Sequence, residues 1–300
     1  MTDTPDAPNH RSGFVALVGK PNVGKSTLLN ALLEVKLSIV SAKPSTTRHR
    51  VLGILSGEGY QAVLLDTPGI IVPKYGLHTQ MMESVKLALQ DADLVVWLVA
   101  PIEPFPEQAV IDRLRQAGKP VLLAVNKADL ATDDAIAERT AAIADQLPLA
   151  ASVSLSALHG TRVAEFRDTL VSLLPLGPPY YPKDQLTDRS ERFIVGELVR
   201  EQVFVQFQEE IPYNTEVTVL LFEERNDGYL YIDAEIHVGR KSLKGMLIGK
   251  GGQAIKKLGV AARAEIEAFL GRPVYLNLYV RIAEDWKNHA GYLKSFGYGA

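Results

Sequence analysis

Gly19-Lys20-Pro21-Asn22-Val23-Gly24-Lys25-Ser26 decides how the first half of this chain is read. The stretch has the form G-x-x-x-x-G-K-[ST]. It follows a short apolar run with strand character, 13–19, and opens a segment with apolar residues at helical spacing, 25–34. That context matters more than the pattern. Glycines in such a loop let backbone N–H groups curl around phosphate oxygens without side-chain clash, and the helix N-terminus adds positive potential. In that frame Lys25 reaches the β- and γ-phosphates of a nucleotide and Ser26 ligates Mg²⁺. Gly19, Pro21, Asn22, Val23, Gly24 and Thr27 complete the cradle.

Outward from the loop, strand and helix patterns alternate. Residues 50–56 and 60–66 form a strand pair with Gly57 and Gly59 at the turn. The runs 93–100 and 120–126 are almost wholly apolar, as strands buried on both faces are. Helical patterns follow at 107–117, 133–146 and 163–174. This order predicts an α/β domain with a mostly parallel sheet and helices on both faces. Pro175-Leu176-Gly177-Pro178-Pro179-Tyr180-Tyr181-Pro182 ends it, because four prolines and a glycine in eight residues extend neither a helix nor a central strand. Beyond this semi-rigid linker the expected order is helix 192–208, strands 216–224 and 228–238 across a turn at Asn226-Asp227-Gly228, helices 243–248 and 252–270, and strand 274–281. That is an α-β-β-α-α-β domain. The division reads as a disordered tail 1–12, a nucleotide domain 13–175, a linker 176–190 and a second domain 191–300.

Composition narrows the classes. The 300 residues are 47% hydrophobic and 22% charged, which excludes disorder as a description of the whole chain. There is no cysteine, so disulfide scaffolds, cysteine nucleophiles and thiolate metal sites are excluded. The six histidines are scattered without ligand spacing, against a zinc enzyme. The polar start 1–12 lacks signal-peptide character, and the longest apolar run, 94–100, is far short of the ~20 residues of a spanning helix. A cytoplasmic protein is expected.

Three further motifs choose the nucleotide. Asp66-Thr67-Pro68-Gly69 ends a strand, with Asp66 placed to hold Mg²⁺ through its water shell and the Gly69 N–H placed to touch the γ-phosphate. Asn126-Lys127-Ala128-Asp129 ends another, and a carboxylate there accepts two hydrogen bonds from the guanine N1–H and exocyclic amine, a donor pair adenine lacks. Ser156-Ala157-Leu158 follows the next strand, where a backbone N–H can donate to guanine O6. All four motifs fall at strand C-terminal ends, the ligand edge of open α/β sheets.

These motifs resemble the translation-factor-like GTPases and, within them, the Era family of ribosome-associated GTPases. Ser45-Thr46-Thr47-Arg48 fits that family's switch I. The match implies Thr47 as a Mg²⁺ ligand alongside Ser26 and Asp66, with Thr46 the alternative. Ras-like proteins place a water-orienting glutamine where this chain has Ile70, and the family's following histidine is Ile71 here. The catalytic water-positioning residue is thus unknown and intrinsic hydrolysis slow, with Lys25 and Asn22 supplying electrostatics. In related GTPases an asparagine at the Asn22 position helps hold K⁺; Asn22 could instead merely stabilise the loop turn.

In the second domain the charge is one-sided. Arg240, Lys241, Lys244, Lys250, Lys256, Lys257 and Arg263 lie within 238–264, where no residue is acidic. Such a patch is the electrostatic footprint of nucleic-acid binding. Inside it, Ile248-Gly249-Lys250-Gly251-Gly252 resembles the I-G-x-x-G core of a KH domain, whose glycines let the backbone clamp phosphates. Ile248 and Ile255 line an apolar groove for bases or serve as core. The element order is that of a type II KH domain.

The resemblance implies a GTP- and GDP-binding, GTP-hydrolysing protein. It implies binding to 16S ribosomal RNA near its 3′ end, and a role in small ribosomal subunit assembly and rRNA maturation. A monomer is expected. The basic patch is also compatible with peripheral contact to the anionic inner face of the cell membrane. Two other readings stand beside it: an RNA-binding module with a vestigial nucleotide domain, and a P-loop kinase acting on a small metabolite. The intact Lys25, Ser26, Asp66, Asn126 and Asp129 oppose the first. The guanine-reading motif opposes the second.

Overall fold

The computed structural model describes residues 9–102, 104, 108–226 and 228–299. They divide into two compact units. The first comprises 1–38, 47–71 and 82–188; the second comprises 39–46, 72–81 and 189–300.

The first unit is built on a six-stranded sheet. In chain order the elements are β1 (Arg11–Gly19), α1 (Lys25–Leu33), β2 (Val51–Gly57), β3 (Tyr60–Asp66), α2 (Gly76–Asp91), of which 76–81 fall in the second unit, β4 (Leu94–Val99), α3 (Gln108–Ala117), β5 (Val121–Val125), α4 (Asp133–Ala144), β6 (Ala151–Ser154) and α5 (Val163–Ser172). The strand order is β2-β3-β1-β4-β5-β6. Only β2 runs antiparallel, paired to β3 by its hairpin. Every residue of β4 and of β5 is buried, as strands covered on both faces require. Register brings the strand ends together: Leu17 pairs with Asp66, Gly19 with Leu98, Val99 with Val125, and Val125 with Ser154. The chain leaves β1 for β3 on one side and returns to β4 on the other, so the loops after β1 and β3 open at the switch point of the sheet.

Three features depart from the sequence reading. Helix α2 has no counterpart in it. Leu77, Met81, Val85, Ala88 and Ala92 are buried at helical spacing, but no capping residue marks the start of the helix. Strand β1 begins at Arg11, inside the stretch read as tail. Its first residues are held by Arg11 N–H on Gly59 O and by the Ser12 hydroxyl on Gly177 O, 2.9 Å for each. The rest of that tail, 1–8, lies outside the described residues, as do Glu107 at the start of the expected helix 107–117 and Asp227 in the expected turn. The proline-rich segment is strapped along the first unit. Gln61 on β3, fully buried, accepts from the Tyr180 and Tyr181 N–H groups at 2.7 and 2.9 Å and donates to Tyr181 O at 2.8 Å. Ile54 N–H donates to Leu186 O, and the Thr187 hydroxyl donates to Leu52 O. Prolines prevent a strand there, but the strap still covers the outer edge of β2.

The second unit has the order α6 (Glu191–Gln206), β7 (Thr215–Glu224), β8 (Leu230–Val238), α7 (Lys241–Ile248), α8 (Gln253–Leu270), β9 (Val274–Ile282) and α9 (Ala290–Ser295). Its sheet runs β7-β8-β9, antiparallel then parallel. Strand β8 alternates cleanly: Leu230, Ile232, Ala234, Ile236 and Val238 are buried, while Tyr231, Asp233 and Glu235 are half-buried. Ser190 caps α6 by accepting from Phe193 N–H. Residues 194–204 of that helix are all buried, Arg200 completely. Two hydrogen bonds of 2.7 and 2.6 Å join Arg200 to Glu197, and Glu216 lies 4.0 Å away. The Tyr298 hydroxyl donates to Glu216 at 2.6 Å. Burial alone would push the guanidinium pKa down; the charges of Glu197 and Glu216 outweigh it and hold Arg200 above its ordinary value. Replacing Arg200 with alanine strands two buried carboxylates. The expected loss is about 3–5 kcal/mol, read by denaturant unfolding, and a substitution that leaves stability unchanged overturns this account.

Candidate functional site

The phosphate loop joins β1 to α1 through backbone that only small residues adopt. Gly24 has φ 96°, and a Cβ on it would lie 2.2 Å from Asn126 Nδ2. A Cβ on Gly69 would lie 2.6 Å from Pro21 N, and Ile70 N–H donates to Gly19 O at 2.9 Å. The loops after β1 and β3 thus lock together. Lys25 is buried, and its ammonium donates to Lys20 O at 3.0 Å and Gly19 O at 3.3 Å, inside the loop's own curl. Asn22 is exposed with φ 63°, so the turn itself uses this residue's tolerance of left-handed backbone.

Three oxygens meet beside the loop. Ser26 Oγ donates to Asp66 Oδ2 at 2.7 Å and lies 2.8 Å from Thr47 Oγ1. Thr46 is elsewhere: its hydroxyl donates to Lys43 O and lies 2.6 Å from Ser41 Oγ. Asp66 is wholly buried, and its Oδ1 has no partner. Burial raises the pKa of this carboxyl, and hydrogen bonding from Ser26 with the charge of Lys25 offsets only part of that. A buried carboxylate bonded to one hydroxyl, with a second hydroxyl beside that one, is a hard-oxygen donor set of the kind Mg²⁺ takes.

At the next strand ends Asn126 is a brace. Its Nδ2 donates to Val23 O at 2.8 Å, and its Oδ1 accepts from Ala157 N–H at 2.9 Å. Lys127, with φ 62°, donates through Nζ to Asn22 O at 2.6 Å. These bonds leave the Asp129 carboxylate at the mouth of the loops, its pKa lowered chiefly by the Ser156 hydroxyl. His159 stands 3.8 Å from it, a neighbour the sequence reading missed. Leu158 is highly exposed.

In the second unit, Gly249, Gly251 and Gly252 all have positive φ, and the loop they make joins α7 to α8. Ile255, Lys256, Gly259, Val260 and Arg263 of α8 face Leu276, Asn277 and Leu278 of β9 across a cavity of about 310 Å³. Its floor is apolar and its rim basic, as a groove for stacked bases and phosphates needs. Ile255 is therefore groove rather than core.

The comparisons with known proteins agree with both halves. A model of 50S ribosome-binding GTPases matches residues 14–127, and a KH domain model matches 210–287. GTPase Era of Geotalea uraniireducens is 44% identical over 290 residues, covering 96% of this chain and 98% of that protein. The chain belongs to the Era family of GTPases. GTPase Era of Geobacter metallireducens is 46% identical over 301 residues, covering 99% of this chain and all of that one. Among solved structures, an Aquifex aeolicus Era variant bound to GDP·AlF4⁻ superposes with a TM-score of 0.93 at 38% identity. It covers 97% of this chain and 100% of that chain. A structure of Era with MgGDPNP and nucleotides 1506–1542 of 16S ribosomal RNA matches equally well. An α/β P-loop GTPase domain followed by a KH domain is thus the fold, and GTP hydrolysis the activity.

Of the residues named from sequence, the structure brings Ser26, Thr47 and Asp66 together, and Val23, Asn126 and Ala157 together. Of the residues named in the second unit, Ile255, Lys256 and Arg263 line this groove. Gly259 and Val260 were not named, although 255, 259 and 263 repeat at one-turn spacing on a single helix face.

Two outcomes are expected. Above its raised pKa, ionised Asp66 carries an uncompensated burial penalty that vanishes at acid pH. Asp66→Asn therefore stabilises the nucleotide-free protein at neutral pH, with a gap that closes as the pH falls, while hydrolysis drops about a hundredfold or more. Unfolding at several pH values checks the first part. Asp129→Asn weakens GTP by about a hundredfold or more and shifts preference to xanthosine nucleotides, measured by nucleotide titration.

Proposed function

We propose that this chain is a GTP-driven binder of small-subunit ribosomal RNA that acts in assembly of that subunit and maturation of its RNA. The observation that carries the reading is the groove between α8 and β9, apolar below and basic at the rim, in a chain that also holds a complete guanine-nucleotide corner. The relative solved with nucleotides 1506–1542 of 16S ribosomal RNA supports the 3′ end of that RNA as the target. Residues 13–175 serve as the nucleotide part, 191–300 as the RNA part and 176–190 as their connection.

At the nucleotide corner, N–H groups of 19–26 cradle the phosphates and Lys25 transfers its ammonium from Gly19 O and Lys20 O to phosphate oxygens. Ser26, Thr47 and Asp66 hold Mg²⁺, which supplies neutralisation of the phosphate charge when bound. Gly69 N–H and the residues around it respond to the γ-phosphate. Asp129 reads guanine, with Asn126 holding the loops in register and Ser156, Ala157 and Leu158 closing over the base. Ile70 cannot orient water, so unassisted turnover is slow. Asn22, exposed at the loop tip, is the residue to help hold K⁺.

No helix among the described residues is long and apolar enough to cross a membrane. The reading places the protein in the cytoplasm as a monomer.

The test is RNA-dependent turnover. GTP hydrolysis in potassium buffer rises with an oligoribonucleotide matching the 3′ end of small-subunit ribosomal RNA. Lys250→Asp with Gly251→Asp weakens that oligonucleotide by about tenfold or more and leaves GTP affinity unchanged. Both positions are exposed, a Cβ on Gly251 meets nothing within 4 Å, and aspartate tolerates its positive φ. Full RNA affinity in the double variant removes the RNA reading. Undetectable GTP binding by the intact chain would favour a vestigial nucleotide domain.

A further inference from the structure

The three-stranded sheet of the second unit has a second face. Helices cover the side of Leu230, Ile232, Ala234, Ile236 and Val238. The other side is laid out in rows by the strand register. Glu223, Tyr231 and Tyr275 share one row; Leu221, Asp233 and Asn277 the next; Thr218, Glu235 and Tyr279 the third; Glu216, His237 and Arg281 the last.

This chain's own C-terminal segment covers the last row. The Phe296 ring stacks 4.8 Å from His237, and Tyr298 donates to Glu216. The remaining rows are partly open: Tyr275 is 53% and Tyr279 49% exposed, Asp233 is half-buried and accepts from Asn277 Nδ2 at 2.8 Å, and the Glu235 side chain is 16% exposed. Their chemistry is mostly acidic and aromatic, with Arg225 and Arg281 as the cations at its margins. Glu223, Asp233 and Glu235 supply negative charge. The Tyr231 and Tyr275 rings stack at 5.1 Å, and the Arg225 guanidinium sits 3.8 Å over Tyr231. Arg281, mostly exposed, reaches Glu235 at only 3.5 Å, a loose pair that an incoming cation can replace. The basic residues of α7 and α8 belong to the helical side. The unit therefore carries positive potential on one side and negative on the other, and the open sheet face repels the nucleic acid that the groove attracts.

We propose that the open rows of this face, from Tyr231 and Tyr275 to Glu235 and Tyr279, dock an arginine-rich segment of a partner protein. Two features select arginine. A planar guanidinium stacks on tyrosine rings, as Arg225 already does, and the flanking carboxylates take its N–H groups in pairs. Lysine offers neither as well. The inference stands apart from the RNA reading: of the residues that line the groove, Asn277 alone also lies in these rows, and it is not among the docking groups.

The experiment uses the full chain and a fluorescein-labelled twelve-residue peptide of alternating arginine and serine, followed by fluorescence anisotropy. Saturable binding is expected, weakened about tenfold or more by Tyr275→Ala with Tyr279→Ala and by Asp233→Asn with Glu235→Gln. The same charge change made on α4, Asp133→Asn with Asp134→Asn, leaves it unaltered, and a lysine-serine peptide binds more weakly. Should the tyrosine pair fail to fold, judged by melting and GTP binding, the single exposed Tyr279→Lys carries the same test. Three outcomes overturn the proposal. One is no saturable binding to the parent chain. Another is equal weakening by the α4 variant, which means general attraction of a polycation. The third is loss of an RNA oligomer, rather than the peptide, in the sheet variants.

Discussion

The nucleotide corner depends on one side chain that acts as a brace between loops. Asn126 leaves the end of β5 and ties the phosphate loop, through Val23 O, to the loop after β6, through Ala157 N–H. A buried amide can satisfy both bonds only if the two loops stand at one separation. That separation dictates the rest. Gly24 must lack a Cβ because Asn126 Nδ2 already occupies its place. Lys127, next in sequence, falls on Asn22 O, and Asp129 is left facing the space between the loops. The loops proposed to read the base and the phosphates are thus tied into one constellation, set by the parallel register of β1, β4, β5 and β6.

Each unit buries charge, with opposite results. Arg200 is answered from within its own unit, by Glu197 and Glu216 and through Tyr298. Its charge is neutralised in the folded chain and ties a helix, a strand and the C-terminal segment together. Asp66 is answered only in part. Ser26 and Lys25 lower its pKa less than burial raises it, and Oδ1 stays unpaired. A chain selected for stability alone would not keep that carboxylate. Strain held at a binding site favours whatever relieves it, here a cation brought in with a polyphosphate.

What could be read in advance follows the range of the physics involved. Motifs whose function is carried by backbone geometry, such as 19–26 and 66–69, announce themselves because the glycines and the strand–helix context are local. The alternation of strands and helices is local too. Helix α2 escaped because its start has no cap and its apolar stripe is broken by polar residues that the periodicity had to be traced through. The strap along β2 escaped because prolines say where a strand cannot form, and nothing about the Gln61 amide that holds the chain in place. Thr46 and Thr47 are neighbours of one type in sequence; only Ser26 tells them apart, by taking Thr47. In the second unit the basic run locates the region, and Lys256 and Arg263 within it line the groove; Gly259 and Val260 carry no charge to mark them.

The net charge of −3 conceals this polarity. Seven basic residues without an acid between 238 and 264 require compensating acids elsewhere in the same small unit, or its folded state would repel itself. Some stand beside the cations, as Glu210 pairs with Arg240 and Glu267 lies 3.9 Å from Arg263; others are carried by the sheet face that the helices leave uncovered. Carboxylates gathered there next to helix-borne cations would neutralise the groove if they shared its face. Alternation along β8 prevents that: odd-numbered Asp233 and Glu235 point away from the side on which even-numbered Ile232, Ala234 and Ile236 meet the helices. The period-two geometry of one strand therefore permits a basic groove and an acidic, tyrosine-bearing face to coexist in one unit without cancelling.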